Sequence, residues 1–63
     1  MSPSTAAELS SLTTQLGELS RRISALAERL GTSDEGLAQD LFALERPLAE
    51  AARRLERITR QHA

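Results

Sequence analysis

The chain has no cysteine, lysine, tryptophan, tyrosine or valine, and Phe42 is its one aromatic residue. Without cysteine there are no disulfides and no thiolate metal sites, and the lone His62 does not make a metal cage. In a chain of 63 residues this matters, because small domains bury proportionally little surface and draw extra stability from disulfides, metals or partners. Elimination leaves association. Charged residues, or Gly, Ser and Thr, interrupt every apolar stretch long before the ~20 residues of a membrane span. The opening Met1-Ser2-Pro3-Ser4-Thr5 carries neither the basic nor the apolar region of a secretory signal. A soluble cytoplasmic chain is therefore the expectation, and a cysteine-free composition agrees with a reducing compartment.

What is present points to helix. Leu and Ala dominate and β-branched residues are few, which favours helix over sheet. All 8 basic residues are arginine, a bias that a GC-rich coding background produces as readily as function does.

Apolar residues fall at Leu9, Leu12, Leu16, Leu19, Ile23, Leu26 and Leu30, at alternating spacings of 3 and 4. Leu37, Leu41, Leu44, Leu48, Ala51, Leu55 and Ile58 repeat the rule beginning with 4. Both stretches are heptad seams. Between them lies Gly31-Thr32-Ser33-Asp34-Glu35-Gly36, where Gly31 suits a left-handed helix stop and Thr32 with Glu35 fits a capping box. So short a connection makes the two helices antiparallel neighbours.

Residue numbering tests the hairpin, because facing layers of antiparallel helices must have residue numbers that add to one constant. Leu30 with Leu37, Leu26 with Leu41, Ile23 with Leu44, Leu19 with Leu48, Leu16 with Ala51, Leu12 with Leu55 and Leu9 with Ile58 all meet that condition. Each pair also matches an a with a d heptad position when Leu9 and Leu41 are both called a. A single continuous helix would instead carry its seam through Gly31 and Gly36, at ~1 kcal/mol each relative to Ala. The predicted fold is all-α: a two-helix antiparallel coiled-coil hairpin forming one domain over residues 1–63. Helix one covers about 4–30, the turn 31–36, and helix two about 34–61.

The residues beside the seam differ between flanks. On the e side stand Ala6, Thr13, Ser20 and Ala27 from helix one, with Ala38, Glu45, Ala52 and Thr59 from helix two. All but Glu45 are small. On the g side Glu8, Gln15, Arg22 and Arg29 face Asp40, Pro47, Arg54 and Gln61, with Arg29 and Asp40 placed to pair. Phe42 and Ala49, at b positions, widen the apolar face of helix two beside the small flank. A lone exposed aromatic needs no explanation, but here Ala38 and Ala49 lie on the same side, which favours burial of Phe42 at an interface. The expected association surface is therefore Ala6, Thr13, Ser20, Ala27, Ala38, Phe42, Ala49 and Ala52, used to dimerise two hairpins into a four-helix bundle.

Pro47 breaks a local rule. Inside a helix it removes the hydrogen bond to the Ala43 carbonyl and costs roughly 3 kcal/mol or a kink. A tolerated bend on the polar flank is the favoured expectation. The alternative is two helical pieces with Pro47 in the first turn of the second.

Function is less legible. In helix two Asp34, Glu35, Asp40, Glu45 and Glu50 come early and Arg53, Arg54, Arg57 and Arg60 late, an order that complements the helix dipole and allows pairs such as Glu50 with Arg54 and Glu56 with Arg60. The functional alternative is a patch of Arg46, Arg53, Arg57 and Arg60 for an anionic partner, including nucleic acid. A net charge of −1 and the absence of stacking aromatics among the arginines weigh against nucleic acid. Near the chain end, His62 assembles no catalytic set, and no Gly-rich phosphate loop exists. Scattered exposed carboxylates lack the buried setting that tunes a catalytic acid. Helix one is charge-balanced with a narrow Leu stripe, unlike the basic, aromatic-rich helices that lie on membranes. The expectation is a non-catalytic, cofactor-free interaction protein, a regulatory or scaffolding adaptor binding itself and another protein. A nucleic-acid accessory factor is the alternative.

Overall fold

The computed structural model describes residues 2–62, and among them every regular element is α-helix. Helix α1 spans Pro3–Leu30. Ser2 caps it, extended at φ −74° and ψ 156°, and its Oγ accepts a hydrogen bond from the Thr5 N–H at 3.3 Å. Pro3 follows in the first turn, where a missing N–H costs nothing.

Gly31 ends α1. Its φ of 46° lies in the left-handed region that favours glycine, and its N–H donates to the Ala27 carbonyl at 3.1 Å. The Ser33 N–H and hydroxyl then both donate to the Leu30 carbonyl, at 2.8 and 2.6 Å. Ser33 is thus committed to closing α1, and the cap of the next helix falls to Asp34, whose Oδ1 accepts from the Leu37 N–H at 3.1 Å. This corrects the capping box expected at Thr32 and Glu35. Asp is as good an N-cap as Ser or Thr, and two further residues are needed to reverse the chain.

The second arm is two helices, α2 over Glu35–Phe42 and α3 over Glu45–His62. Pro47 has no N–H to offer the Ala43 carbonyl, so the ladder stops there. The Leu44 N–H tightens onto the Leu41 carbonyl at 3.0 Å, and the Leu48 N–H restarts the ladder on the Leu44 carbonyl at 3.0 Å. Pro47 lies in the first turn of α3. The broken arrangement, rather than the favoured bend, is the one adopted. Ala43 keeps helical angles, φ −63° and ψ −19°, and both α2 and α3 pack along α1.

The result is a ribbon, 47 × 16 × 10 Å between Cα extremes, two helices wide and one thick. Its radius of gyration is 14.7 Å, against about 11 Å for a compact chain of this length. Such a shape leaves two broad faces. Which residues lie between the arms is the main departure from expectation. The a row, from Leu9 to Leu30 and Leu41 to Leu55, is half-buried, but the d row is exposed: Leu12, Leu19, Leu26, Leu37, Leu44 and Ile58 each keep 40 to 50% of their surface. The buried residues are Ala27 and Ala38, both on the e row.

The arms therefore meet through a and e, not a and d. On a helix, e lies about 40° to one side of a and d about 60° to the other, so a modest rotation exchanges them. Small e residues favour that rotation by letting the helix axes approach. Their polar atoms do not oppose it: the hydroxyls of Thr13, Ser20 and Thr59 donate to the carbonyls of Leu9, Leu16 and Leu55 in their own helices, at 3.0, 3.0 and 2.8 Å. Satisfied in this way, they pack as small apolar groups.

Candidate association surface

Rotation sorts the side chains onto two unlike faces. One carries the d row of both arms, with Ala51 also exposed. Along α1 it is dented by a shallow open depression between Leu19, Ile23 and Leu26 on one side and Arg22 and Arg29 on the other. The g residues form its charged rim. The opposite face is polar. Ser20, Ser24, Glu45 and Ala49 line one open groove there, and Ser10, Thr13, Glu56 and Thr59 another. The Ser24 hydroxyl donates to Glu45 Oε2 at 3.1 Å, joining the arms across that face.

These faces relocate the residues expected to associate. Ala27 and Ala38 are inside the single chain, fully or almost fully covered, so they present nothing to a second molecule. Ala6, Thr13, Ser20 and Ala52 are half-buried in the same a/e contact. Phe42 keeps 40% of its surface and Ala49 is exposed, both on the polar side rather than beside the d row. The small flank is consumed in forming the hairpin, and the free apolar surface is the row that the heptad pattern had assigned to the core. Half-exposure of that row is visible only once the rotation is known.

The same rotation separates the g rows. Arg29 and Asp40 do not pair, because both move to the outer margins of the d face, and Glu56 with Arg60 is not formed either. Among the described residues the ion pair made is Arg54 with Glu50, 3.4 Å apart and largely exposed. Arg46, Arg53, Arg57 and Arg60 are all exposed on the outer side of α3. Arg46, Arg53 and Arg60 succeed one another at about 10.5 Å along the axis, from seven residues at 1.5 Å each. Acidic Glu50 and Glu56 interleave with them in sequence, and no aromatic stands among them.

Among the described residues, no group of three or more His, Cys, Asp or Glu side chains is placed to hold a metal ion. Among the same residues, no helix is long and apolar enough to cross a membrane. Comparison of the chain with protein families, characterised proteins and solved structures gives no match.

Proposed function

We propose that this chain is a small non-catalytic protein–protein interaction module, a regulatory or scaffolding adaptor that works by covering its d face with another helical surface. One observation carries the reading: six large aliphatic side chains, 40 to 50% exposed, share one face of a ribbon whose other face is mostly polar, with Phe42 as its exposed large apolar side chain. A contiguous apolar face of this extent, rimmed by charge, marks an interaction surface. A second hairpin is the simplest cover, giving a four-helix bundle.

Covering what remains exposed of each side chain is worth roughly 1 kcal/mol, so two faces together offer about 12 kcal/mol. Association costs about 4–15 kcal/mol, which makes the assembly dependent on concentration. Light scattering across micromolar concentrations tests this directly. Replacing Leu19 and Leu26 with Glu should reduce the mass to that of one chain, because two charges would otherwise be buried without partners. An unmodified chain that exposes the d face and binds neither itself nor any helical partner would end the reading.

The exposed arginine row supports a second reading, an anionic partner such as nucleic acid. Its test is a salt-dependent complex lost on changing Arg46, Arg53, Arg57 and Arg60 to Gln.

A further inference from the structure

The d face is self-complementary in one orientation, and we infer that its occupant is a second copy of this chain laid face to face with its loop at the opposite end. This rests on the reading of the d face as the association surface and adds the identity and direction of the partner. Two features of the molecule support it, the level at which the d rows are centred and the order of charges on the rim.

Within the hairpin, the Ser24–Glu45 hydrogen bond between the arms and the burial of Ala27 with Ala38 bracket the antiparallel register, which puts Leu19 of α1 near the level of Leu48 in the second arm. The exposed d row of α1, Leu12, Leu19 and Leu26, is centred on Leu19. That of the second arm, running from Leu37 to Ile58, is centred between Leu44 and Ala51, beside Leu48. Both rows are thus symmetric about one level of the rod. A two-fold axis crossing the ribbon there sets d on d in both arms at once: Leu19 meets the partner's Leu19, Leu12 the partner's Leu26, and Leu44 the partner's Ala51. An interface in which one patch binds its own copy requires this property.

Charge selects between the two ways of stacking the faces. With loops at opposite ends, α1 lies on the partner's α1 in reverse, placing Glu8 against the partner's Arg29. The second arm turns about Pro47 and places Asp40 against the partner's Arg54. Four of the five rim charges (Glu8, Arg22, Arg29, Asp40, Arg54) then face an opposite charge, and Arg22 faces the partner's Gln15. With loops at the same end, only Arg29 and Asp40 meet opposite charges, while Glu8 faces the partner's Gln61 and Arg54 the partner's Gln15. Arg54 already touches Glu50, but in an exposed pair that leaves the Arg54 side chain 70% accessible. Area agrees as well: a 47 × 16 Å face offers on the order of 750 Å² per copy, the size of a standard specific interface.

Because the chain has no cysteine, any single introduced thiol reports on its own surroundings. Leu19→Cys is the discriminating variant, since only opposite-end stacking puts that residue on the symmetry axis, within the Cα reach of a disulfide. Under mild oxidation it should become a covalent dimer, while Gln39→Cys on the outer edge stays a single chain, and Leu12→Cys crosslinks when mixed with Leu26→Cys but not alone. Light scattering of the unmodified chain runs alongside. If the chain is a dimer but Leu19→Cys crosslinks only when mixed with Ala51→Cys, the loops lie at the same end: the orientation falls and the d-face reading stands. A dimer in which no d-row pair crosslinks, or in which Gln39→Cys crosslinks as fast, overturns the orientation and the face together. A chain that stays single across micromolar concentrations overturns the second copy as occupant and leaves the face open to a different helical protein.

Discussion

The two broad faces of this ribbon carry opposite chemistry, although both are edges of the same contact between the arms. The e side is rich in hydroxyls and alanine yet is drawn into the hairpin, whereas the d side is almost wholly Leu and Ile and is left outside. Residue type alone would rank them the other way. The difference teaches that size governs the contact between two helices at least as much as apolarity does, because only small side chains let the axes come close. A small hydroxyl that bonds its own helix adds no desolvation debt.

The hardest blow to this arrangement is a charge on the inner row. Ala27→Glu with Ala38→Glu places two like charges where the chain leaves 0 and 4% exposure, an expected loss of several kcal/mol and of most of the helical signal in circular dichroism. The hairpin itself should fail, at every concentration. Retention of a folded single chain would show that the arms meet elsewhere, and would restore the small flank as the outer surface.

Continuity of the second arm is the next lever. Pro47→Ala returns an N–H to the Ala43 carbonyl, and α2 and α3 should merge into one helix, with new protection from amide exchange at position 47. The stabilisation should be about 1 kcal/mol, less than the roughly 3 kcal/mol of a mid-helix proline, because Pro47 already sits in a first turn where it is tolerated. No change in exchange would mean that packing against α1, not the missing donor, sets the interruption.

The gentlest test replaces Thr13, Ser20 and Thr59 with Ala together. If these hydroxyls act only as small groups satisfied within their own helices, the hairpin should lose no more than about 0.5 kcal/mol, since alanine's helix propensity offsets the lost contacts. A larger drop in thermal midpoint would show that the hydroxyls hold the arms together across the contact.

Much of the architecture is written locally. Alternating spacings from Leu9 to Leu30 and from Leu37 to Ile58 call for two amphipathic helices, and Gly31 is where the backbone must turn left-handed. Numbers that add to one constant establish which layers oppose. Other local details are not legible. Thr32 and Asp34 both suit an N-cap, and only the path of the turn, with Ser33 bonded back to Leu30, assigns the cap to Asp34. Pro47 announces a disturbance, but whether a helix bends or stops there depends on how both segments lie on α1.

The sequence by itself determined the helices, the reversal and the register, because each rests on short-range geometry: residue spacing, a glycine conformation, the length of a connection. Tertiary structure alone decided which row is hidden. Rows d and e flank row a within a rotation that costs no hydrogen bond, so the choice belongs to the packing of two helices at once, where small e residues allow an approach that large d residues would block. That choice leaves Leu12, Leu19, Leu26, Leu37, Leu44 and Ile58 at the surface.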